Sequence, residues 1–258
     1  MTDGLSDDNL LGGRVRLKQP RAGYRAAIDP VLLAAAVPAG AGETVLDVGA
    51  GAGAATLCLA TRAPGCRIVG IEMQRELARL ATENAALNGV GDRVEVLVGD
   101  LMQPPPRLAP GSFDHVMSNP PHHEAGRVER SPDDAKVLSA IEGTADLAAW
   151  VGFCIRMAKP RGTITIVHRA DRLDALIAHL YGKVGAIVVF PLWPDATGGR
   201  PARRVIVQAR KGAATPAVLA PGLALHEADG RYTPGAEAIL RDAAAIELRA
   251  ALSLPRRT

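Results

Sequence analysis

Residues 118–122, Ser-Asn-Pro-Pro-His, combine groups whose types and spacing suit chemistry on an amino group. They follow the apolar segment 113–117, so a buried strand is predicted to end in a loop at Asn119. Proline fixes φ and lacks an N–H, so Pro120 and Pro121 form a rigid turn whose carbonyl groups can only accept hydrogen bonds. The side-chain oxygen of Asn119 is a further acceptor beside them. Such a turn can hold a planar NH2 group. A strand closed by prolines, with asparagine in a plain turn, has the same local sequence, so residues upstream must decide.

Three acids stand at the ends of three predicted strands upstream: Asp47, Glu72 and Asp100. The sequence Gly-Ala-Gly at 49–51 follows the first acid and lets the backbone approach a ligand near a helix N-terminus. This loop also fits the dinucleotide pattern GxGxx(G/A), in which Glu72 would likewise bind a ribose. However, Asp47 would repel a pyrophosphate, and three acids at neighbouring strand ends suit a cationic, amine-bearing nucleoside such as S-adenosylmethionine. For any one acid alone, a helix cap or loop residue is the alternative.

Apolar strands alternate with amphipathic helices after about twenty-five residues that are predicted to be irregular. Asp29 followed by Pro30 predicts an N-cap and a first helical residue. No helix separates the last two predicted strands, so they should pair antiparallel. The pattern is that of the class I methyltransferase fold: α/β, Rossmann-like, with a seven-stranded, mostly parallel sheet, an antiparallel last strand and helices on both faces. The predicted strands are 44–48, 67–71, 94–98, 113–118, 163–167, 186–190 and 204–209; the predicted helices are 31–37, 52–61, 74–88, 147–158, 173–180 after a cap at Asp171, and a tail helix opening at Thr233-Pro234.

Length and composition indicate one large α/β domain, since 258 residues that are 48% hydrophobic can bury a full core. We divide it into an N-terminal segment over the cofactor pocket (1–40), a catalytic core (41–211) and a tail with a helix (212–258). The net charge of +3 permits an anionic partner without requiring one. The three cysteines show no CxxC pair and no metal-ligand spacing, which indicates a reducing compartment and no metal. A polar N-terminus and the lack of a run of about 18 apolar residues predict a soluble, cytoplasmic protein without membrane contact.

Together these motifs resemble the bacterial tRNA(Val) adenine-N6 methyltransferases, a branch of the class I enzymes that use S-adenosyl-L-methionine. The resemblance extends over nearly the whole chain. The methyltransferase and amino-methylating motifs support the enzyme class, and the N- and C-terminal matches support the tRNA branch. The matching segments are 11–13, 29–33, 45–51, Asn84, Asp100, 118–121, 201–205 and 229–233.

The resemblance implies a cofactor site for S-adenosyl-L-methionine beside a substrate site in the Asn-Pro-Pro turn. Asp47 and the glycines would surround the methionine part, Glu72 would bind the ribose hydroxyls, and Asp100 would bind the adenine amino group. The Asn119 side chain and the Pro120 carbonyl would hold the amino group of the substrate. The implied cofactor-binding residues are Arg25, Asp29, Asp47, Gly49, Ala50, Gly51, Glu72, Asp100, Leu101 and Asn119, and the implied catalytic residues are Asn119, Pro120, Pro121 and His122.

The implied activity is transfer of the sulfonium methyl group to the exocyclic nitrogen of an adenine in tRNA, with the reacting atoms held in line and without a general base. The base would leave its helix to enter the pocket. The family usually has Tyr or Phe after the second proline to stack on this base, whereas this chain has His122, which offers less area. Arginines at the carboxyl end of the sheet are predicted to bind RNA phosphates, the alternative being solvated charges, with Arg204 paired to an acid. They are Arg127 and Arg130 in the long loop after the motif, and Arg200, Arg203 and Arg204 between the last two strands.

Three other functions fit parts of the same pattern. A protein methyltransferase could hold a glutamine side-chain amide in the same turn, and would need a peptide groove in place of a basic rim. A nicotinamide-dependent oxidoreductase would use the glycine loop but have no use for residues 119–121. A non-catalytic SAM-binding, RNA-binding protein would be consistent with the loss of the stacking aromatic at His122.

Overall fold

The computed structural model of the protein describes residues 4–22, 25–121 and 145–248. The strands are β1 (Leu5–Leu10), β2 (Val15–Pro20), β3 (Thr44–Val48), β4 (Arg67–Glu72), β5 (Val94–Val98), β6 (Phe113–Ser118), β7 (Ala158–Arg169), β8 (Val184–Asp195), β9 (Arg204–Lys211), β10 (Val218–Leu219) and β11 (Leu223–His226). The helices are α1 (Asp29–Ala36), α2 (Ala54–Arg62), α3 (Arg75–Leu87), α4 (Leu147–Met157), α5 (Leu173–Leu180) and α6 (Pro234–Asp242), with short 3₁₀ turns at Leu11–Gly13 and Ala170–Arg172.

Within the described ranges, nine strands form one sheet in the order β10-β8-β9-β7-β6-β3-β4-β5, and β11 also pairs with β8. Strand β9 runs antiparallel to β7 and β8, while the other pairs are parallel. The predicted fold class and the antiparallel last strand are therefore confirmed. The predicted number of seven strands is too low, because β10 and β11 join the sheet. At two and four residues they are too short to show a periodic pattern.

The order of the sheet creates a crevice at the carboxyl ends of β3 and β6. The chain leaves β3 toward β4 and β5 on one side and returns to β6 on the other side. The connections that leave β3 and β6 pass over opposite faces of the sheet. A gap therefore opens between them, outside the strand ends. In open α/β sheets, ligands bind at this kind of reversal.

Apolar layers cover both faces of the sheet, as predicted. On one face Leu33 of α1 packs with Leu17 of β2 and Ile239 of α6 in a single buried cluster. On the other face Phe153 of α4 packs with Leu176 of α5. Because a fully buried side chain of this size contributes about 1.5–3 kcal/mol, the two layers hold the helices against the sheet and fix its strand ends in space.

Residues 5–20 form a β-hairpin, so the prediction of an irregular N-terminus is wrong. Strands β1 and β2 pair antiparallel from Leu5 opposite Pro20 to Leu10 opposite Val15. The free edge of β2 is satisfied by side-chain amides of α3: Asn84 accepts from the Lys18 N–H at 2.9 Å and donates to the Lys18 carbonyl at 2.8 Å. The partner of this edge is a helix far along the chain, so nothing local in the sequence marks it.

The two predicted helix caps, Asp29 and Asp171, are wrong. Asp29 lies inside the first turn of α1, where its carboxylate accepts a hydrogen bond from Arg204 Nε at 2.8 Å. Asp171 lies in the 3₁₀ turn before α5 and pairs with Arg169. The tail helix does open at Thr233-Pro234, as predicted, and the structure shows that Thr233 caps it, since its Oγ1 accepts from the Ala236 N–H at 3.1 Å. Both acids bind arginine side chains instead of backbone N–H groups, because a hydrogen bond between two charged groups is the stronger one.

We expect Thr233→Ala to lower the free energy of unfolding by about 1–2 kcal/mol, the usual cost of losing a threonine cap. The loss should fall at the upper end, because the hydroxyl of Thr233 also donates to the Ala224 carbonyl at 2.7 Å and so joins α6 to β11. Urea unfolding curves measure the effect. Thr215→Ala, at an exposed position in an irregular segment, is the matched control and should change little. Equal stability of the two variants would contradict the role given to the cap.

Candidate functional site

The glycine loop and the Asn-Pro-Pro turn lie side by side because β3 and β6 are neighbours. Val48 pairs with Ser118, and the buried Ser118 hydroxyl donates to the Val48 carbonyl at 2.8 Å. The next residues, Gly49 and Asn119, therefore leave the sheet from adjacent positions. The structure thus brings together the two motifs that the sequence separates.

Asp47 is buried beneath this loop, with 2% of its surface exposed. Its Oδ2 accepts a hydrogen bond from the Thr56 hydroxyl in the first turn of α2 at 2.7 Å. Burial, with a smaller contribution from the negative charge of Glu72, raises the pKa of Asp47 to about 6 even though Thr56 works in the opposite direction. A raised pKa means that the negative charge of the carboxylate is poorly stabilised. A positively charged ligand at the loop would stabilise it.

Glu72 ends β4 beside the same loop and is almost fully buried. Its two oxygens accept from the Gln74 N–H and the Gly51 N–H, each at 2.9 Å. Burial raises the pKa of Glu72 above its ordinary value in spite of these bonds. Each oxygen keeps a further lone pair, so the carboxylate can still accept bonds from a pair of hydroxyl groups.

The N–H groups of Gly49, Ala50, Gly51 and Gly53 in the glycine loop are already used within the protein. Those of Gly49 and Ala50 both donate to the Ile71 carbonyl, at 2.9 and 3.1 Å, and that of Gly53 donates to Ala50 at 2.9 Å. Gly49 has a φ of 77°, a conformation that favours glycine. A loop that binds a pyrophosphate needs free N–H groups, so this geometry argues against a dinucleotide and in favour of a cationic ligand.

Asp100 and Leu101 follow β5, so the third acid lies at the same edge of the sheet as the other two. The Asp100 side chain accepts from the Met102 N–H at 2.9 Å and so shapes its own turn. The Gly99 N–H donates to the Glu72 carbonyl at 2.9 Å, which ties this turn to the end of β4. Leu101 is buried against the sheet. The arrangement leaves the remaining Asp100 oxygen able to accept from an amino group.

Two of the residues implied by the resemblance, both in the N-terminal segment, are held in ion pairs. Arg25 donates to both oxygens of Asp8, at 3.0 and 2.9 Å, and lines a cavity of about 680 Å³ between the hairpin and α6. Asp29 is the partner of Arg204. Neither Asp47 nor Glu72 lines that cavity.

Among the predicted RNA-binding arginines, the structure separates paired from unpaired side chains. Arg200 donates to Asp195 at 2.5 Å, and Arg204 is bonded to Asp29, as the alternative for that residue anticipated. Arg203 is exposed and forms no ion pair with any residue of 4–22, 25–121 or 145–248. Arg127, Arg130 and His122 lie outside the described residues.

Trp150 is a residue of this site that the sequence analysis missed. It lies in the first turn of α4, whose N-cap Asp146 accepts from the Ala149 N–H at 2.8 Å. A Cβ added to Gly49 would lie 2.6 Å from Cη2 of Trp150, so the indole covers the face of that glycine. The signal available in the sequence was rarity, because the chain has only two tryptophans and this one opens the helix after the long loop.

Comparison with known proteins places the chain in a family. The family model described as "Methyltransferase domain" matches residues 39–186. The tRNA1(Val) (adenine(37)-N6)-methyltransferase of Aeromonas hydrophila is 29% identical over 83% of this chain and 87% of that protein. The enzyme of the same name from Bacteroides thetaiotaomicron is 30% identical over 69% of this chain and 73% of its own length.

Solved structures share the fold. A predicted O-methyltransferase from Agrobacterium tumefaciens superposes with a TM-score of 0.70 at 24% identity and covers 84% of this chain and 98% of its own. The tRNA (m1A58) methyltransferase of Aquifex aeolicus superposes with a TM-score of 0.54 at 14% identity, over 76% of this chain and 73% of its own.

The sheet order and the acid-lined crevice are those of a class I methyltransferase. The chain belongs to the methyltransferase family, in the branch of the bacterial tRNA1(Val) adenine-N6-methyltransferases. Its cofactor is S-adenosyl-L-methionine. The residues present fit that molecule, because two buried carboxylates with raised pKa values suit a ligand that carries a sulfonium, an ammonium and ribose hydroxyls.

Neither a metal-binding cluster nor a membrane-spanning helix is present in the described part of the chain. No group of three or more His, Cys, Asp or Glu side chains there is placed to hold a metal ion. No helix found there has the length and apolar character needed to cross a bilayer.

Proposed function

We propose that this protein transfers the methyl group of S-adenosyl-L-methionine to the exocyclic amino nitrogen of an adenine in tRNA. The observation that supports this most directly is the pairing of Val48 with Ser118, which sets the Asn-Pro-Pro turn beside the cofactor loop. The relatives named for tRNA1(Val) adenine-N6 methylation support the choice of adenine and of tRNA.

The turn at the end of β6 would hold the amino group of the base. S-adenosyl-L-methionine supplies a methyl group on a positively charged sulfur. The Asn119 side-chain oxygen, which is buried, and the Pro120 carbonyl accept the two N–H bonds of the base. Since the amino lone pair is delocalised into the ring, fixing both N–H bonds favours a pyramidal nitrogen whose lone pair is available to attack the methyl group. The protein contributes orientation and needs no base to remove a proton before attack. The nitrogen would gain the methyl group as the bond from that group to sulfur breaks, and would then release one proton to water.

The proposed cofactor contacts follow the chemistry of the acids. Asp47 would compensate positive charge on the methionyl part, Glu72 would accept from the ribose hydroxyls, and Asp100 would accept from the adenine amino group of the cofactor. Leu101, Ala50 and Gly51 would pack against the nucleoside. Arg25 and Asp29 would act through the segment that covers the pocket, because Arg25 already pairs with Asp8 inside that segment and Asp29 ties the segment to Arg204 at the start of β9.

The test of the proposed function is a product analysis. Purified protein, S-adenosyl-L-methionine and tRNA from a strain lacking the gene are incubated, and the RNA is digested to nucleosides for mass spectrometry. We expect N6-methyladenosine to form. Methylation of a glutamine amide in added protein extract, with none in tRNA, would support the alternative protein methyltransferase and overturn the proposal. Binding of cofactor without methylation of any substrate would support the non-catalytic alternative.

We propose that tRNA phosphates contact the rim formed by the loop after the motif and the β8–β9 connection, through Arg127, Arg130, Arg200, Arg203 and Arg204. Arg203→Gln should weaken tRNA binding and reduce the slope of log K against log salt by about 0.7–0.9, the value of one phosphate contact. Arg200→Gln should do less, because Arg200 already serves Asp195. Filter-binding titrations at several salt concentrations measure the slope.

Lys183→Gln is the matched control for this rim. Lys183 is exposed before β8, at the opposite end of the sheet from Arg203, and the substitution removes the same charge. Its salt slope should equal that of the unmodified protein. Equal slopes for all three variants would place the RNA on another face.

A further inference from the structure

The cavity of about 680 Å³ between the β1–β2 hairpin and α6 has no part in the proposed mechanism. Its volume lies in the range of pockets that hold small ligands, about 300–1,000 Å³. Its apolar walls come from the hairpin, the start of α1 and the end of α6, through Leu10, Leu11, Ile28, Val31 and Leu240. A cation and an aromatic ring complete the lining, and they indicate what the cavity can bind.

The aromatic ring, that of Tyr232, lies at the carboxyl edge of the sheet. Strand β11 runs parallel to β8, and His226 at its end pairs with Asp195 at the end of β8. Tyr232 forms an isolated bridge with His226 and directly precedes the cap of α6. Because β8 runs in the same direction as β7 and β6, this end of the cavity lies at the edge that carries the Asn-Pro-Pro turn.

The cation, Arg25, lies at the same edge. It precedes Asp29 by four residues, and the Asp29 carboxylate accepts from Arg204 at the start of β9. Arg204 pairs with Arg169 at the end of β7, the strand beside β6. Arg25 and Tyr232 therefore both lie toward the edge where the methyl group would be transferred.

At the other end of the cavity the hairpin turn meets the last turn of α6. A Cβ added to Gly12 would lie 2.9 Å from the carbonyl oxygen of Arg241, which also accepts a hydrogen bond from Arg14. The hairpin and α6 thus touch at that end and diverge toward Tyr232 and Arg25. Arg25 is exposed, so a ligand can reach it from solvent.

The polar groups of the cavity suit an anion. The Asp8 carboxylate already accepts from the Ser6 hydroxyl, the Gln19 amide and Arg25. Arg25 uses only Nη2 for Asp8, and its Nε and Nη1 make no hydrogen bond with the residues that the structure describes. A cationic ligand would find the carboxylate occupied, whereas a phosphate oxygen would find two nitrogens of the guanidinium able to donate.

The Tyr232 ring is supported on one face. The imidazole of His226 stacks on it, with ring centroids 4.8 Å apart and an interplanar angle of 24°. Nδ1 of His226 donates in turn to the Pro194 carbonyl at 2.9 Å, which fixes the imidazole to the end of β8. A fixed aromatic ring near a cation that can bind phosphate is a combination with which proteins recognise unpaired nucleotides.

We propose that this cavity is a subsite for an unpaired nucleotide of the substrate tRNA that adjoins the methylated adenosine. Its base stacks on Tyr232 and its phosphate binds Arg25, while the adenine to be methylated occupies the turn at the end of β6. Extruding one base from a stack exposes the faces of its neighbours, and a second site at the same edge receives one of them. This inference rests on the proposed function.

The test combines a change in the protein with a change in the RNA. Product analysis locates the methylated adenosine, and tRNAs are prepared by ligation with an abasic nucleotide directly before it, directly after it or at neither place. Filter binding with S-adenosylhomocysteine present gives the affinities. On intact tRNA, Tyr232→Leu should weaken binding about fivefold to a hundredfold, the range for one stacked base. Tyr232→Phe keeps the ring and should stay within about twofold of the unmodified protein.

A direct contact makes the two changes non-additive. One abasic tRNA should bind the unmodified protein as weakly as intact tRNA binds Tyr232→Leu, and on that tRNA Tyr232→Leu should cause no further loss. Equal losses of Tyr232→Leu on all three tRNAs, as a merely structural role would give, would overturn the inference. So would an unchanged affinity for intact tRNA. If no tRNA were methylated, the proposed function itself would fail.

Tyr181→Leu is the matched control. Tyr181 is exposed after α5, at the opposite edge of the sheet, and the substitution removes the same ring. This variant should bind all three tRNAs as the unmodified protein does.

A second measurement uses the unmodified protein, and decides the matter even where Tyr232→Leu does not fold. The tRNA carries 5-iodouridine, a base that crosslinks to aromatic side chains on irradiation, directly before or directly after the methylated adenosine. Mass spectrometry of the digested protein identifies the crosslinked residue. At least one of the two tRNAs should crosslink to Tyr232. Crosslinks only to residues outside the cavity, or none, would contradict the subsite.

Discussion

Asn119→Ala is expected to abolish methyl transfer to tRNA, by about a hundredfold or more, while cofactor binding persists. The side-chain oxygen of Asn119 is buried and follows Ser118, whose hydroxyl fixes the end of β6 to β3. Its loss removes one of the two acceptors that orient the amino group, and leaves the carboxylates of the cofactor site in place. Initial rates with labelled methyl donor and calorimetry with S-adenosylhomocysteine measure the two properties separately.

Asn9→Ala is a suitable control for this experiment, since Asn9 is exposed on β1 and the substitution deletes the same amide. It should retain full activity. Turnover of Asn119→Ala near the unmodified rate would rule out the amino-methylation mechanism. A parallel loss of cofactor affinity would show that Asn119 serves the cofactor as well as the substrate.

Asp47→Asn should raise the stability of the ligand-free protein and weaken its cofactor binding. Burial holds the pKa of Asp47 at about 6 in the folded state, against an ordinary value of 3.8. The folded protein therefore takes up a proton as the pH falls through about 6, and the unfolded chain does so only near its lower pKa. The ionised carboxylate thus costs about 3 kcal/mol at pH 7.5, and this cost disappears between roughly pH 7 and pH 4.

The amide of Asp47→Asn keeps an oxygen for the Thr56 hydroxyl but removes the charge. Urea unfolding at pH 7.5 should show a gain of about 1–3 kcal/mol and a flatter pH dependence, and calorimetry should show S-adenosyl-L-methionine weakened by about 1–3 kcal/mol. Asp92→Asn, which changes an exposed carboxylate at the other end of the sheet, should do neither. Lower stability of Asp47→Asn at pH 7.5, with unchanged affinity, would contradict this account of the site.

The pH window of Asp47 can be separated from that of other carboxylates. Although partial burial works against it, the Lys159 ammonium and the bonds from Thr44 hold the pKa of Asp114 at about 2. The contribution of Asp114 to stability is present above its ordinary pKa and is lost only as the pH falls below about 4. Between pH 7 and pH 5, therefore, changes in stability should report mainly on the buried acids at the cofactor loop.

The elements predicted best from the sequence are those whose signal is local. The bounds of β3, β5 and β6 agree with the predicted segments, because each is a short apolar run that ends at glycine, proline or a polar turn. The adjacency of the glycine loop and the Asn-Pro-Pro turn followed from the fold class alone. A parallel sheet with this strand order brings those two strand ends together regardless of side-chain detail.

The features that escaped prediction depend on partners remote in sequence. Asp29 is predicted to be a cap because it precedes a proline, and its actual partner, Arg204, is 175 residues away and leaves no local signal. The hairpin was missed because its edge is completed by amides of α3. Trp150 was missed because its contact with Gly49 exists only once α4 packs on the sheet. Periodicity identifies which elements form, whereas these side-chain partners are set by how the elements meet.

The fully buried amide of Asn84 links three separate parts of the molecule. Its nitrogen donates to the carbonyls of Lys18 in the hairpin and Ala52 in the cofactor loop, at 2.8 and 2.9 Å, from its own place on α3. Opening the hairpin would leave that amide without one of its acceptors and release one restraint on the loop. The hairpin and the loop should therefore exchange their amide protons with solvent as one cooperative unit. An amino-terminal truncation or a fusion that disturbs the hairpin would be felt at the cofactor, although the hairpin contributes none of the carboxylates there.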